Sequence, residues 1–460
     1  MERMGILNMY DLVITNATIV AADLQYKGSI CIKDGKIAAI ATDALEAVDA
    51  AQTIDAQGLL AFPGLIDVHA HLGERGEGDT ESVTCSSKAA AVGGITTCVD
   101  MPTNQPVIKN AEILREKIRY MKEECRVDHI LYGALIRDNQ ADLKEMAALG
   151  ATCFKAFLSY SGEEYTSPNM YEARKAMQEI AKFDGIASFH CEDFSITSGL
   201  DREMCEGKID DRRAFLDTRP VSAEIIATQN IITLAEETGC RTHILHVSHP
   251  DVAELIRRAQ ERGVRVTGET CPHYLRFSED DFLHVSSLYK CVPPLRSPQA
   301  REALWGYVEK GVLSCIGSDH SPGTREQRDD RLHPVYELGN GISGIQTMLQ
   351  TMYDLVVNTK HASPTIITRR LAESPAKVWG VWGRKGAILP GFDADIVLLD
   401  PQRHWKITPE SLYYKNNEVS CYIGLEGVGY PVLTVLRGNI IARDGKYIGE
   451  NVHGEMITRL

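Results

Sequence analysis

The 460-residue sequence predicts an α/β protein: a (β/α)8 barrel with a small β-sandwich domain built from both chain termini. Three observations carry this prediction. Between about residues 64 and 318, short apolar runs alternate with amphipathic segments, the rhythm of a parallel barrel. The two ends of the chain share a different rhythm, short strands joined by tight turns with no long helix between them. A chain of 460 residues also exceeds what one ordinary core holds, so a large and a small domain are expected. The expected division is 1–62 with 386–460 for the small domain and 63–385 for the barrel.

The N-terminal strands are read first. Asp11-Leu12-Val13-Ile14 is an apolar run that stops at Asn16, and Ser29-Ile30-Cys31-Ile32 runs into the hairpin turn Lys33-Asp34-Gly35-Lys36. Lys36 to Ile40 and Thr53 to Gly58 complete this part. Barrel strands are expected at 64–69, 95–101, 129–135, 151–158, 186–190, 242–247, 264–269 and 312–318. Helices are expected between them at 82–92, 108–126, 139–149, 168–183, 222–238, 250–262 and 298–310, with two more at 341–357 and 365–377. In the segment 108–126, Leu114, Ile118 and Met121 recur at helical spacing, and the charges around them, Lys117 included, read as a solvated face. After residue 385 the β rhythm returns, in a strand within 391–400 and a hairpin over 432–446.

A net charge of −14 argues against a nucleic-acid surface and against an anionic membrane as partner, and favours a small-molecule substrate. Twelve cysteines are spread along the chain without a Cys-x-x-Cys pair, which points to the reducing cytoplasm. There is no apolar run of membrane-spanning length, and the first residues do not read as a signal peptide.

The chemistry lies at the expected strand ends, where barrel enzymes place it. His69 and His71 end the first strand, with period-2 geometry turning both imidazoles to one side. Lys155 is the one cation in an apolar strand, His190 and His246 end two others, and Asp319 follows the last. A buried lysine is costly unless neutralised, and a neutral amine reacts with carbon dioxide to give a carboxylate-like carbamate. This set therefore predicts two divalent metal ions, Zn2+ first with Co, Mn or Fe as alternatives. His69, His71 and Asp319 would hold one ion, His190 and His246 the other, and carbamylated Lys155 would bridge them. Asp319 is also the expected catalytic proton acceptor in amide hydrolysis.

With PGLIDVHAHL (63–72), GGITTCVDMPTNQP (93–106), FKAF (154–157), FHCED (189–193), LHVSHP (245–250), ETCPHYL (269–275), KCVPPLR (290–296), SDHSP (318–322) and GNGISG (339–344), the chain resembles the amidohydrolase superfamily. Within it the resemblance is to the cyclic-amide hydrolases, namely allantoinase, hydantoinase/dihydropyrimidinase and dihydroorotase. The resemblance implies ring opening of a ureide, with allantoin to allantoate in purine degradation ranked first and hydantoinase/dihydropyrimidinase as the alternative. Dihydroorotase and a non-catalytic scaffold rank below these. Dihydroorotases carry an arginine two residues after the second metal histidine, where this chain has Gly73, although Asn104 resembles their substrate loop. Allantoinases typically carry Trp-Glu-Gly after the His-x-His loop, where this chain reads Gly78-Asp-Thr-Glu-Ser. Hydantoinases lend Tyr160 the role of oxyanion donor, and Asn340 that of a substrate contact. Backbone at Cys291 and the Ser321 hydroxyl are implied as ring-amide contacts, His273 and His320 as supporting residues, and a homotetramer as the assembly.

Overall fold

The computed structural model describes residues 9–42, 49–76, 80–103 and 105–460. Five strands open the chain: β1 (Tyr10–Val20), β2 (Gln25–Lys33), β3 (Lys36–Ala41), β4 (Ala50–Asp55) and β5 (Leu60–Pro63). Eight more form the barrel: β6 (Leu65–Ala70), β7 (Ile95–Asp100), β8 (Asp128–Ala134), β9 (Cys153–Phe157), β10 (Ile186–His190), β11 (Arg241–Ile244), β12 (Val266–Thr270) and β13 (Cys315–Ile316). The C-terminal set is β14 (Ile396–Lys406), β15 (Glu426–Leu436), β16 (Asn439–Arg443) and β17 (Lys446–Tyr447).

The terminal strands form one mixed sheet in the order β17-β16-β15-β14-β5-β1-β2-β3, with β4 lying parallel on β1. β5 is the joint between the two ends of the chain, parallel to β1 and antiparallel to β14. Ile14, Ile19 and Ile30 from one half of the sheet share an apolar cluster with Ile396, Leu398 and Val435 from the other, so both termini complete a single core. The turn at Asp34-Gly35 sits between the antiparallel strands β2 and β3, as its Asp-Gly signature predicts.

The barrel strands run in sequence order, and each pairing is parallel. Side chains close the seam between β6 and β13. The Ser318 backbone N–H donates to Asp67 Oδ1 at 2.8 Å and its hydroxyl to Oδ2 at 2.5 Å, while the His71 N–H reaches the His320 carbonyl at 2.9 Å. The expected strand 312–318 is thus reduced to two paired residues. Its C-terminal end presses against β6, where a Cβ on Gly317 would stand 2.8 Å from that of His69.

The outer helices follow ordinary rules. Met170–Ala181 starts at an Asn169–Glu172 capping box and buries Ala173, Ala176, Met177 and Ile180 at helical spacing. Ala111–Glu124 buries Leu114 and Met121 as expected, but Lys117 corrects the solvated-face reading. It is 1% exposed and pairs with Asp100 at 2.7 Å, and Asp100 accepts the Leu72 N–H at 3.1 Å, just beyond His71. Four helices not anticipated by periodicity, Phe194–Glu206, Arg212–Asp217, Pro272–Arg276 and Glu279–His284, lie in the connections after β10 and β12. At the opposite, N-terminal end of the barrel, Lys385 donates to Asp128 and Asp395 at 2.5 and 2.6 Å and pairs with Asp393 at 2.9 Å, tying the two sheets together. Among the described residues, no helix is long and apolar enough to cross a membrane.

Candidate metal centre

The six predicted ligands converge at the C-terminal side of the barrel. His69 Nε2 lies 3.2 Å from Asp319 Oδ1 and 3.2 Å from Lys155 Nζ, and His71 Nε2 lies 3.6 Å from the same Asp319 oxygen. His190 Nδ1 meets His246 Nε2 at 3.0 Å, and the His69 and His246 rings are 5.2 Å apart, so the two groups adjoin. His246 and Asp319 both hold left-handed backbone, at φ 35° and 46°. That conformation is strained for a residue with a Cβ and persists where the surroundings over-determine it, which is common at functional sites.

A further layer of oxygen atoms sets the imidazole orientations. Glu269 Oε1 lies 2.5 Å from His69 Nδ1, Glu192 Oε2 lies 2.8 Å from His190 Nε2, and Thr103 Oγ1 lies 2.5 Å from His71 Nδ1. The carboxylates draw the proton to the ring nitrogen they face, leaving the lone pair on the opposite nitrogen. In His69 that opposite nitrogen faces the Asp319 carboxylate. Two acceptors at 3.2 Å repel unless a cation stands between or beside them. The donor set of imidazole nitrogens, a carboxylate and a buried amine therefore fits divalent metal ions of the zinc type. A second carboxylate cluster, Asp128, Asp393 and Asp395, is satisfied by Lys385 instead.

Electrostatics point the same way. Burial, more than any neighbour, pushes the His71 imidazole down to about 4, lowers His190, and drives His246 well below its ordinary value. Neutral imidazole is the form that binds metal. Burial opposes charge on Asp319, but the imidazoles of His69, His71 and His246 win, so it stays a carboxylate. Burial lowers the Lys155 amine to about 8, against the pull of Asp319 and Glu269.

The expected substrate residues are distributed less evenly. Cys291 is buried, and its segment is bonded to the one carrying Asn340, since the Gly341 N–H donates to Lys290 O at 2.9 Å. Ser321 joins the same group through its N–H to Ile342 O at 3.0 Å. Asn340 itself is exposed. Tyr160 lies in the loop after β9 and is 65% exposed, turned to solvent. Beneath that loop, Tyr165 is the buried tyrosine, donating to the Lys155 carbonyl at 2.6 Å. Asn104 and Gly78 lie outside the described residues. His320 is a supporting residue, its ring between Ser86 Oγ at 3.2 Å and the Gly344 N–H at 3.3 Å.

Gly73 has φ 94°, and a Cβ there would stand 2.6 Å from the Glu81 carbonyl oxygen, so the position is built for glycine. Gly73→Ala is expected to cost about 1–3 kcal/mol of stability, read as a lower midpoint in chemical denaturation. An unchanged midpoint would show that the Glu81 backbone yields freely.

Residue-by-residue reading of the sequence missed Glu269, Glu192, Thr103, Asp67 and Ser318, all of which orient the ligands or close the seam. A signal was present for Glu192, two residues after His190, and for Glu269, an acid at the end of an expected barrel strand.

The profile of the amidohydrolase family matches residues 60–441. An L-hydantoinase from Paenarthrobacter aurescens is 32% identical over 458 residues, covering 98% of both chains. An allantoinase from Bacillus licheniformis is 33% identical over 458 residues, covering 97% of this chain and 99% of its own. The solved structure of the L-hydantoinase (dihydropyrimidinase) from Arthrobacter aurescens superposes with a TM-score of 0.94 at 32% identity, covering 98% of this chain and 100% of the other. With the ligand geometry above, these likenesses show that the chain belongs to the amidohydrolase family.

Proposed function

We propose that this protein opens a cyclic ureide by hydrolysis, with allantoin as the first-ranked substrate and five-membered hydantoins as the second. The observation that carries the reading is the meeting of His69, His71, Asp319 and the buried Lys155 amine at the C-terminal barrel face, with His69 Nε2 3.2 Å from both Asp319 Oδ1 and Lys155 Nζ and His71 Nε2 3.6 Å from the same oxygen. His69, His71 and Asp319 would hold one divalent ion, His190 and His246 the second, and carboxylated Lys155 would lie between them. Bound there, the ions supply Lewis acidity, lowering the pKa of water and polarising the carbonyl to be attacked.

The chain's own residues supply the rest. Carboxylation of Lys155 joins the neutral amine to carbon dioxide and releases one proton. In hydrolysis, the attacking water forms a C–O bond as the ring C–N bond breaks. Asp319 accepts one water proton and returns it to the departing nitrogen, so the products are an opened urea and a carboxylic acid, which releases its remaining proton to solvent as it becomes the carboxylate. The Cys291, Ser321 and Asn340 segments offer backbone and hydroxyl partners to the alternating N–H and C=O groups of a ureide ring. Tyr160 is assigned the oxyanion contact, made when substrate draws its loop inward.

Support for ranking ureides above dihydroorotate comes from Gly73, where the backbone of Glu81 leaves no space for the side chain of a carboxylate-binding arginine. A non-catalytic scaffold ranks last because all six ligands are present and oriented. A side-by-side assay of allantoin, hydantoin, dihydrouracil and dihydroorotate with metal-replete protein tests the reading. Turnover is expected on allantoin or hydantoin and not on dihydroorotate; efficient dihydroorotate turnover would overturn it.

A further inference from the structure

Two buried basic side chains lie outside the six-residue cluster. Lys290 is 4% exposed and Arg328 7% exposed, and among the described residues both bond to backbone carbonyls rather than to carboxylates. Burying a cation without a counter-charge is unfavourable, so its hydrogen bonds have to compensate. Lys290 Nζ donates to the carbonyls of Val335 and Leu338 at 2.9 and 2.6 Å. Arg328 Nη2 donates to the Ser321 carbonyl at 3.2 Å, and the Arg328 carbonyl accepts the Ser287 hydroxyl at 2.7 Å. Its Nη1 is buried with no hydrogen-bond partner. Glycines make way for the guanidinium: a Cβ on Gly341 would stand 3.1 Å from Nη2, and one on Gly323 would stand 3.0 Å from Cζ.

These bonds join one segment to another. Residues 287–291 carry Cys291, and the excursion 321–341 carries Ser321 and Asn340. Lys290 grips that excursion at 335 and 338 through its side chain and at 341 through its carbonyl. Arg328 grips it from inside, holding Ser321. The guanidinium bond to the Ser321 carbonyl is charge-assisted and stronger than a neutral one, and with the Lys290 bonds it holds a segment that no sheet ladder supports among the described residues. Burial and the nearby Arg328 and Arg219 charges push the Lys290 amine down to about 7, and the neutral amine still donates to both carbonyls.

We propose that Lys290 and Arg328 are positioning residues for substrate, a pair of buried basic side chains that clamp the 321–341 excursion against Cys291 and so set the slot that reads the ring amide. The inference rests on the ureide reading of that slot. Lys290→Met, Arg328→Met and Arg328→Lys, each prepared as the metal-replete protein, test it by three measurements: metal per chain, KM with kcat, and amide hydrogen exchange across 321–341 without substrate. Either methionine variant is expected to keep its metal, to raise KM roughly 10- to 100-fold with a much smaller change in kcat, and to exchange faster across 321–341. Arg328→Lys, which keeps the charge, is expected to recover part of the KM loss. Unchanged KM and unchanged exchange in the methionine variants would overturn the clamp, as would metal loss in step with activity. If wild-type protein turns over no cyclic amide, the ureide reading fails, and hydrogen exchange still decides whether the clamp exists.

Discussion

Replacing Lys155 with alanine is expected to abolish ring opening and strip the metal centre, lowering kcat/KM by roughly 10^3-fold or more. The reason lies in where the amine sits. It is buried, 3.2 Å from His69 Nε2 and 4.3 Å from the centre of the Phe157 ring, in a strand whose other residues are apolar or aromatic. The other buried lysines are each held by oxygen acceptors, Lys117 and Lys385 by carboxylates and Lys290 by two backbone carbonyls. Lys155 instead has a nitrogen neighbour and an amine lowered to about 8 by burial. Burial thus favours the neutral amine, the form that combines with carbon dioxide, at a position beside His69 where a carboxylate product would meet the cluster. Metal loading of the apoprotein at a fixed concentration of dissolved carbon dioxide should accordingly quicken as pH rises from about 6.5 to about 8.5. Because the amine costs desolvation in the apoprotein, Lys155→Ala should lose metal without losing apoprotein stability. Full metal content and turnover in that variant would remove Lys155 from the centre.

Glu269→Gln is expected to weaken metal binding about 10- to 100-fold. Glu269 is fully buried and held down to about 2: burial opposes its charge, but His69 and His243 outweigh burial. One oxygen faces His69 Nδ1 at 2.5 Å and accepts the His246 N–H at 3.3 Å, while the other faces His243 Nε2 at 3.1 Å. One carboxylate thus orients a ligand on β6 and supports the turn that presents another after β11. Glutamine has a single acceptor oxygen, so its NH2 group would face one of the two imidazole nitrogens. Leaving one buried donor unpaired should also cost about 1–3 kcal/mol in the apoprotein. Metal titration against a competing chelator, with thermal unfolding of the apoprotein, measures both. Wild-type affinity in Glu269→Gln would show that His69 is oriented without it.

The barrel was legible because its strands are apolar runs separated by amphipathic helices, and because five strand ends carry residues that a core does not need. The small sheet was legible in its turns, such as Asp34-Gly35, but not in its pairing: β4 lies parallel on β1, and nothing local in 50–55 encodes that choice. The short helices after β10 and β12 escaped because six residues or fewer give no measurable periodicity, as in Arg212–Asp217 and Pro272–Arg276. β13 was overestimated because Val312 to Ile316 is apolar for packing reasons, while the approach of Gly317 to His69 replaces further pairing. Lys117 was misread because a charge on an amphipathic helix looks solvated until its partner, Asp100 at the end of β7, is brought against it. The six clustered residues were legible as residue types at strand ends. Their orienting partners, Glu269 and Thr103, depend on neighbours 200 and 32 residues away along the chain, a separation that residue spacing does not reveal.

The proposed two-metal centre would be bridged by carboxylated Lys155. Its most direct test is elemental analysis of the purified protein together with mass analysis of the peptide containing Lys155 under conditions that preserve carbamates. The expected result is about two divalent metals per chain, a carboxylate adduct on Lys155, and loss of both with activity after chelation at acidic pH. A fully active protein with no metal, or with Lys155 unmodified at full metal content, would contradict it.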